Sequence, residues 1–73
     1  MTIEGEYLNG KRNGKGKEYN YITGGLMFEG EYLYDEKIKG KEYNHLTGDL
    51  MFEGEYLYNK KIKGKEYINK RLE

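Results

Sequence analysis

Chemistry in this chain would have to come from its carboxylates, its one histidine and its glycines, because the sequence contains neither serine nor cysteine to act as a nucleophile. Glu29 and Glu31 are spaced like a glycosidase pair, one carboxyl acting as acid and the other as base or nucleophile. The same pair, however, recurs as Glu4 and Glu6 and as Glu53 and Glu55. Each pair is followed by two lysines at the same spacing: Lys15 and Lys17, Lys39 and Lys41, Lys63 and Lys65. Acids and bases that face each other across a hairpin form a charge ladder worth roughly 0.2–1 kcal/mol per contact, and threefold repetition favours that reading over a single catalytic site. His45 has no second histidine with which to share a metal and reads as a solvated side chain at a strand end. Gly10, Gly14 and Gly16 resemble a phosphate loop in spacing alone, since no helix follows to supply its N-terminal dipole. The expectation is a protein that is not an enzyme, with no catalytic residues, no metal and no cofactor.

The elements that position these residues are organised around Phe28-Glu29-Gly30-Glu31-Tyr32-Leu33, which returns letter for letter at Phe52 to Leu57 and nearly so at Ile3 to Leu8. In extended backbone the aromatic residue, the glycine and the tyrosine share one face. The glycine leaves a notch over which a neighbouring ring can lie, a reason to keep it in a strand despite a cost of about 0.5–1 kcal/mol. Gly30 and Gly54, Gly40 and Gly64, and Tyr43 and Tyr67 are each 24 positions apart, whereas Gly5 and Gly30 are 25 apart. The extra residue of the first unit, between Tyr7 and Gly16, is assigned to a loop, where insertions cost least.

Alternation and turn residues then predict an all-β fold. It is a single-layer antiparallel meander of about six strands, near residues 3–8, 15–22, 26–33, 39–46, 50–57 and 63–69, elongated and twisted. Thr23-Gly24-Gly25 and Thr47-Gly48-Asp49 supply reversals. The remaining reversals are expected over Asn9 to Gly14, Tyr34 to Ile38 and Tyr58 to Ile62. The chain reads as one domain, 1–73, in three hairpin repeats: 3–27, 28–51 and a truncated 52–71. Tyr43 is expected to join the Phe28 and Tyr32 face through a bulge near Lys41-Glu42. The rings would stand as rungs roughly 10 Å apart.

Gly5-Glu6-Tyr7-Leu8-Asn9-Gly10-Lys11-Arg12-Asn13-Gly14-Lys15-Gly16 resembles the MORN (membrane occupation and recognition nexus) repeat, whose units run close to Tyr-x-Gly-x-Trp/Tyr-x-x-Gly-x-x-x-Gly-x-Gly. In the later units Ile38 and Ile62 stand where that pattern has its penultimate glycine, and the period is one residue longer. The resemblance implies hairpins stacked into one sheet with an aromatic groove, used as a protein-interaction scaffold without catalysis. It places the groove at Tyr7, Phe28, Tyr32, Phe52 and Tyr56, with Gly5, Gly30 and Gly54 as notches.

Thirteen basic and thirteen acidic residues cancel, so no net field draws in nucleic acid, and none is expected as a partner. No signal-like or membrane-spanning stretch is present, and a cytoplasmic location is expected. Charged residues make up 36% of the sequence and the core is thin. Exposed strand edges without proline therefore predict a homodimer, or a protein partner that covers the same surfaces. Tyr34 and Tyr58, in loops after the core strands, join the groove rings as partner-binding candidates. An anionic membrane surface contacted through Lys11-Arg12 and Lys60-Lys61 is a less favoured alternative, and a carbohydrate-binding groove a weaker one.

Overall fold

The computed structural model describes residues 2–68. They form six antiparallel strands in one open sheet, β1 (Thr2–Leu8), β2 (Lys11–Tyr19), β3 (Leu26–Leu33), β4 (Glu36–Tyr43), β5 (Leu50–Leu57) and β6 (Lys60–Glu66), in the order β1-β2-β3-β4-β5-β6. The molecule measures 50 × 29 × 14 Å, and its least dimension is that of one layer with its side chains.

β2, β4 and β6 begin three or four residues earlier than alternation suggested. Three hairpin connections are only two residues long: Asn9-Gly10, Tyr34-Asp35 and Tyr58-Asn59. Both residues of each have positive φ: 51° and 78°, 48° and 69°, 52° and 62°. These are type I′ turns, whose twist matches that of the flanking strands. Tyrosine in the first position hides such a turn, because a bulky side chain is strained there by about 1–2 kcal/mol. Tyr58→Asn is therefore expected to stabilise the fold by about 1 kcal/mol and raise Tm by roughly 4–8 °C in a chain of this size. A lower Tm in a circular-dichroism melt would mean that the Tyr58 ring holds the fold together. The last strand, expected to run to Asn69, ends at Glu66, with Tyr67 and Ile68 beyond it; Asn69 itself and the expected end of the third repeat at residue 71 lie outside the described residues.

What looked like long loops is absorbed by bulges. The register jumps from Glu31↔Lys39 to Tyr32↔Lys37 and from Glu55↔Lys63 to Tyr56↔Lys61, leaving Ile38 and Ile62 as extra residues. Between β1 and β2 it jumps from Gly5↔Gly16 to Tyr7↔Arg12. The additional residue of the first unit thus lies inside β2, not in a loop, and Gly14, at φ 102°, accommodates it. On the far side of the sheet, Asn20 and Asn44 shape the longer connections. Each side-chain carbonyl accepts two backbone N–H bonds, from Ile22 and Thr23 and from Leu46 and Thr47.

Tyr43 lies on the opposite face from the one expected. The register does shift beside it, from Glu42↔Phe52 to Tyr43↔Leu50, but the extra residue is Met51 in β5, so β4 keeps its alternation. The Tyr43 hydroxyl bonds to Glu29 at 3.1 Å, on the charged face. Tyr19 and Tyr67 make the matching bonds to Glu4 and Glu53.

Candidate functional site: two faces and a turn end

A row of directly paired glycines crosses every strand: Gly5↔Gly16, Gly16↔Gly30, Gly30↔Gly40, Gly40↔Gly54 and Gly54↔Gly64. Without Cβ atoms on this row, rings can lie against the backbone, and those rings form the core. Phe28, Tyr32, Phe52 and Tyr56 are all buried, at 1–5% exposure, although the sheet has no second layer among the described residues. They run as a continuous chain of edge-to-face contacts, Tyr32 to Phe28 to Tyr56 to Phe52, each with centroids 5.6 Å apart. The expected separate rungs are absent because Phe28 leans over Gly40, on the intervening strand, to meet Tyr56. A Cβ on Gly40 would stand 2.6 Å from the Phe28 ring. Tyr32 covers Gly16 and Phe52 covers Gly64 in the same way. Gly54, expected to be a ring notch, is constrained mainly by backbone: its Cβ would lie 2.6 Å from the Gly64 Cα.

Cations close the exposed side of this layer. The Arg12 guanidinium lies 4.6 Å from the Tyr32 centroid, Lys37 Nζ 4.4 Å from Phe28 and Lys61 Nζ 4.6 Å from Phe52. The phenols donate to carboxylates of the preceding hairpin, Tyr32 to Glu18 and Tyr56 to Glu42, the latter at 2.6 Å. Glu18, only 4% exposed, is matched by Arg12 Nη1 at 3.2 Å. Arg12 also ties two hairpins together: its backbone N–H and its Nε donate to Asp35 Oδ1, at 2.7 and 3.2 Å. That contact holds the Asp35 carboxyl below the usual carboxylate range. None of these covering and accepting groups, Arg12, Lys37, Lys61, Glu18 or Glu42, was singled out from the sequence as part of the aromatic face. The recurring Gly-Lys-Glu-Tyr was the available signal.

Burial, and then the neighbouring carboxylate, raise the phenol pKa of Tyr32 and Tyr56 well above the ordinary value. A group whose pKa is raised by folding contributes stability that is complete below its unfolded pKa, about 10 for tyrosine, and is lost as pH rises beyond it. Tm is therefore expected to fall steeply above pH ~10, and less steeply in Tyr56→Phe, which keeps the ring but has no proton to lose. Identical slopes in melts of the two proteins from pH 9 to 12 would contradict this role for Tyr56.

The exposed aromatic candidates lie elsewhere. Tyr7 is 54% exposed on β1, and Tyr34 and Tyr58 are 61% and 73% exposed in their turns. Beside the turn tyrosines, Leu33, Ile38, Leu57 and Ile62 are 49%, 38%, 53% and 58% exposed. In the sequence, Leu33 and Leu57 close the repeated strand motif and Ile38 and Ile62 fall within the expected reversals, so nothing in the pattern marks these four as partner-binding residues. The bulges bring the isoleucines into the turn end of the sheet. His45 meets Thr23 Oγ1 at 3.0 Å between the two longer connections. Compared with family models, curated proteins and solved structures, the chain matches none of them.

Proposed function

We propose that this chain is a non-catalytic, MORN-like protein-interaction module in which the rings of the groove are structural and the partner docks at the turn end. The observation that carries this reading is the exposed apolar set Leu33, Tyr34, Ile38 and its translated copy Leu57, Tyr58, Ile62. Large exposed apolar side chains gathered in one region mark interaction surfaces, and tyrosine is among the residues that supply most binding energy there. Phe28, Tyr32, Phe52 and Tyr56 are already covered by their own cations, so a partner would have to displace these to reach them. Arg12 and Lys61, two of the four basic residues of the membrane-tether alternative, are engaged with Glu18 and Glu42, which favours a protein partner over an anionic surface.

The double variant Tyr34→Asn/Tyr58→Asn tests the reading, because it removes both rings while relieving the left-handed strain, so a loss of binding is not a loss of folding. Affinity capture from host extract followed by mass spectrometry is expected to lose its specific partners with this variant. An unchanged set of captured proteins would overturn the proposed surface.

A further inference from the structure

The charged face has an order that the aromatic face does not. Along one row the cross-strand pairs run Glu4, Lys17, Glu29, Lys41, Glu53, Lys65, and along the next Lys15, Glu31, Lys39, Glu55, Lys63. Odd-numbered strands carry the acids and even-numbered strands the bases, so the β1 edge is acidic and the β6 edge basic. Neither edge is paired among the described residues. We propose that the chain self-associates head to tail, the β6 edge of one copy adding the β1 edge of a second as a continuation of the same sheet. This rests on the reading of the chain as an interaction module and names one of its partners.

The junctions within the chain give the register. β2 meets β3 with Gly16↔Gly30, Lys17↔Glu29 and Lys15↔Glu31, and β4 meets β5 with Gly40↔Gly54, Lys41↔Glu53 and Lys39↔Glu55. The same step from β6 sets Gly64 against Gly5 of the second copy, Lys65 against its Glu4 and Lys63 against its Glu6. A second, independent relation agrees. Tyr32 donates to Glu18 and Tyr56 to Glu42, in each case across a β-strand junction of this type. The corresponding residues at the two edges, Glu66 and Tyr7, are both exposed, Tyr7 at 54%. Translation brings the second copy's Tyr7 phenol onto Glu66. Symmetric pairing fails on the same ladder: antiparallel β1 with β1 about Gly5 opposes Glu4 to Glu6, and β6 with β6 about Gly64 opposes Lys63 to Lys65, like charges in both cases. The interface is thus heterologous and leaves a free edge at each end, so growth continues past the dimer.

The chain has no cysteine, which permits a direct test. Glu4→Cys and Lys65→Cys, made singly and mixed under mild oxidation, are expected to give a disulfide-linked heterodimer. Either protein alone is expected to give no more dimer than a Thr23→Cys control in an exposed loop. In sedimentation over a hundredfold concentration range, the average mass of the unmodified chain is expected to pass beyond dimer, and that of Lys63→Glu/Lys65→Glu to stay at monomer. Dominant Glu4→Cys homodimers, a plateau at dimer, or a monomer throughout would overturn the proposal. A monomer that still captures its partner through Tyr34 and Tyr58 would overturn this proposal alone. Self-association that persists in a chain capturing nothing would overturn the docking surface alone.

Discussion

Phe28→Ala is expected to remove a large part of the protein's stability. Phe28 is 1% exposed and lies between Tyr32 and Tyr56, so its removal breaks both of its edge-to-face contacts and uncovers Gly40. Truncation of a buried phenylalanine costs about 3–5 kcal/mol, and a chain of this length holds roughly 4–11 kcal/mol in total. Among the described residues there is no opposite layer to collapse into the space, which places the cost at the upper end of that range. Urea titration followed by circular dichroism should show the unfolding free energy of the variant at 25 °C lowered by about 5 kcal/mol. A loss below about 1 kcal/mol, the size of a surface substitution, would mean that the aromatic chain is not the core.

Gly54→Val should be strongly destabilising as well, although valine is much the better strand former. Its Cβ would fall on the Lys63 carbonyl and 2.6 Å from the Gly64 Cα, so the β5 and β6 backbones themselves must part. Overpacking costs about 1–3 kcal/mol, and here the neighbouring atoms belong to a hydrogen-bonded ladder that has no rotamer to change. Glu53→Val, one residue away on the opposite, solvated face, removes an exposed ladder charge and the exposed acceptor of the Tyr67 hydroxyl, and is expected to change stability by less than about 1 kcal/mol. If Glu53→Val proved the more harmful in parallel melts, the two faces would be assigned the wrong way round.

Strand order and strand identity were legible because the period-2 alternation of Phe-Glu-Gly-Glu-Tyr-Leu is undisturbed in β3 and β5, and because Thr23-Gly24-Gly25 and Thr47-Gly48-Asp49 mark the longer reversals. The starts of β2, β4 and β6 were not legible. Tyr34-Asp35 and Tyr58-Asn59 do not look like two-residue turns, and Ile38 and Ile62, each one residue too many for the pairing, interrupt the alternation just after them. Bulges also decided the side of Tyr43: the residue that absorbs the shift is Met51 on the partner strand, and a single sequence does not say which strand of a pair carries the extra residue. Within the candidate site, the sequence separated aromatic from charged positions but not buried rings from free ones. Burial of Phe28, Tyr32, Phe52 and Tyr56 comes from Arg12, Lys37 and Lys61 folding over them, contacts made from neighbouring strands, between hairpins for Arg12 and across one hairpin for Lys37 and Lys61, and so invisible to local pattern.

The central claim is that rings lie on a glycine row and so let one layer make its own core, leaving the turn end and the strand edges free for partners. Nuclear Overhauser spectroscopy of the protein in solution tests it most directly. The account predicts cross-peaks from the Phe28 ring protons to the Gly40 Hα and from the Phe52 ring protons to the Gly64 Hα, with both glycine resonances shifted by the ring currents. Unshifted glycine resonances, with no cross-peak from either ring, would contradict it.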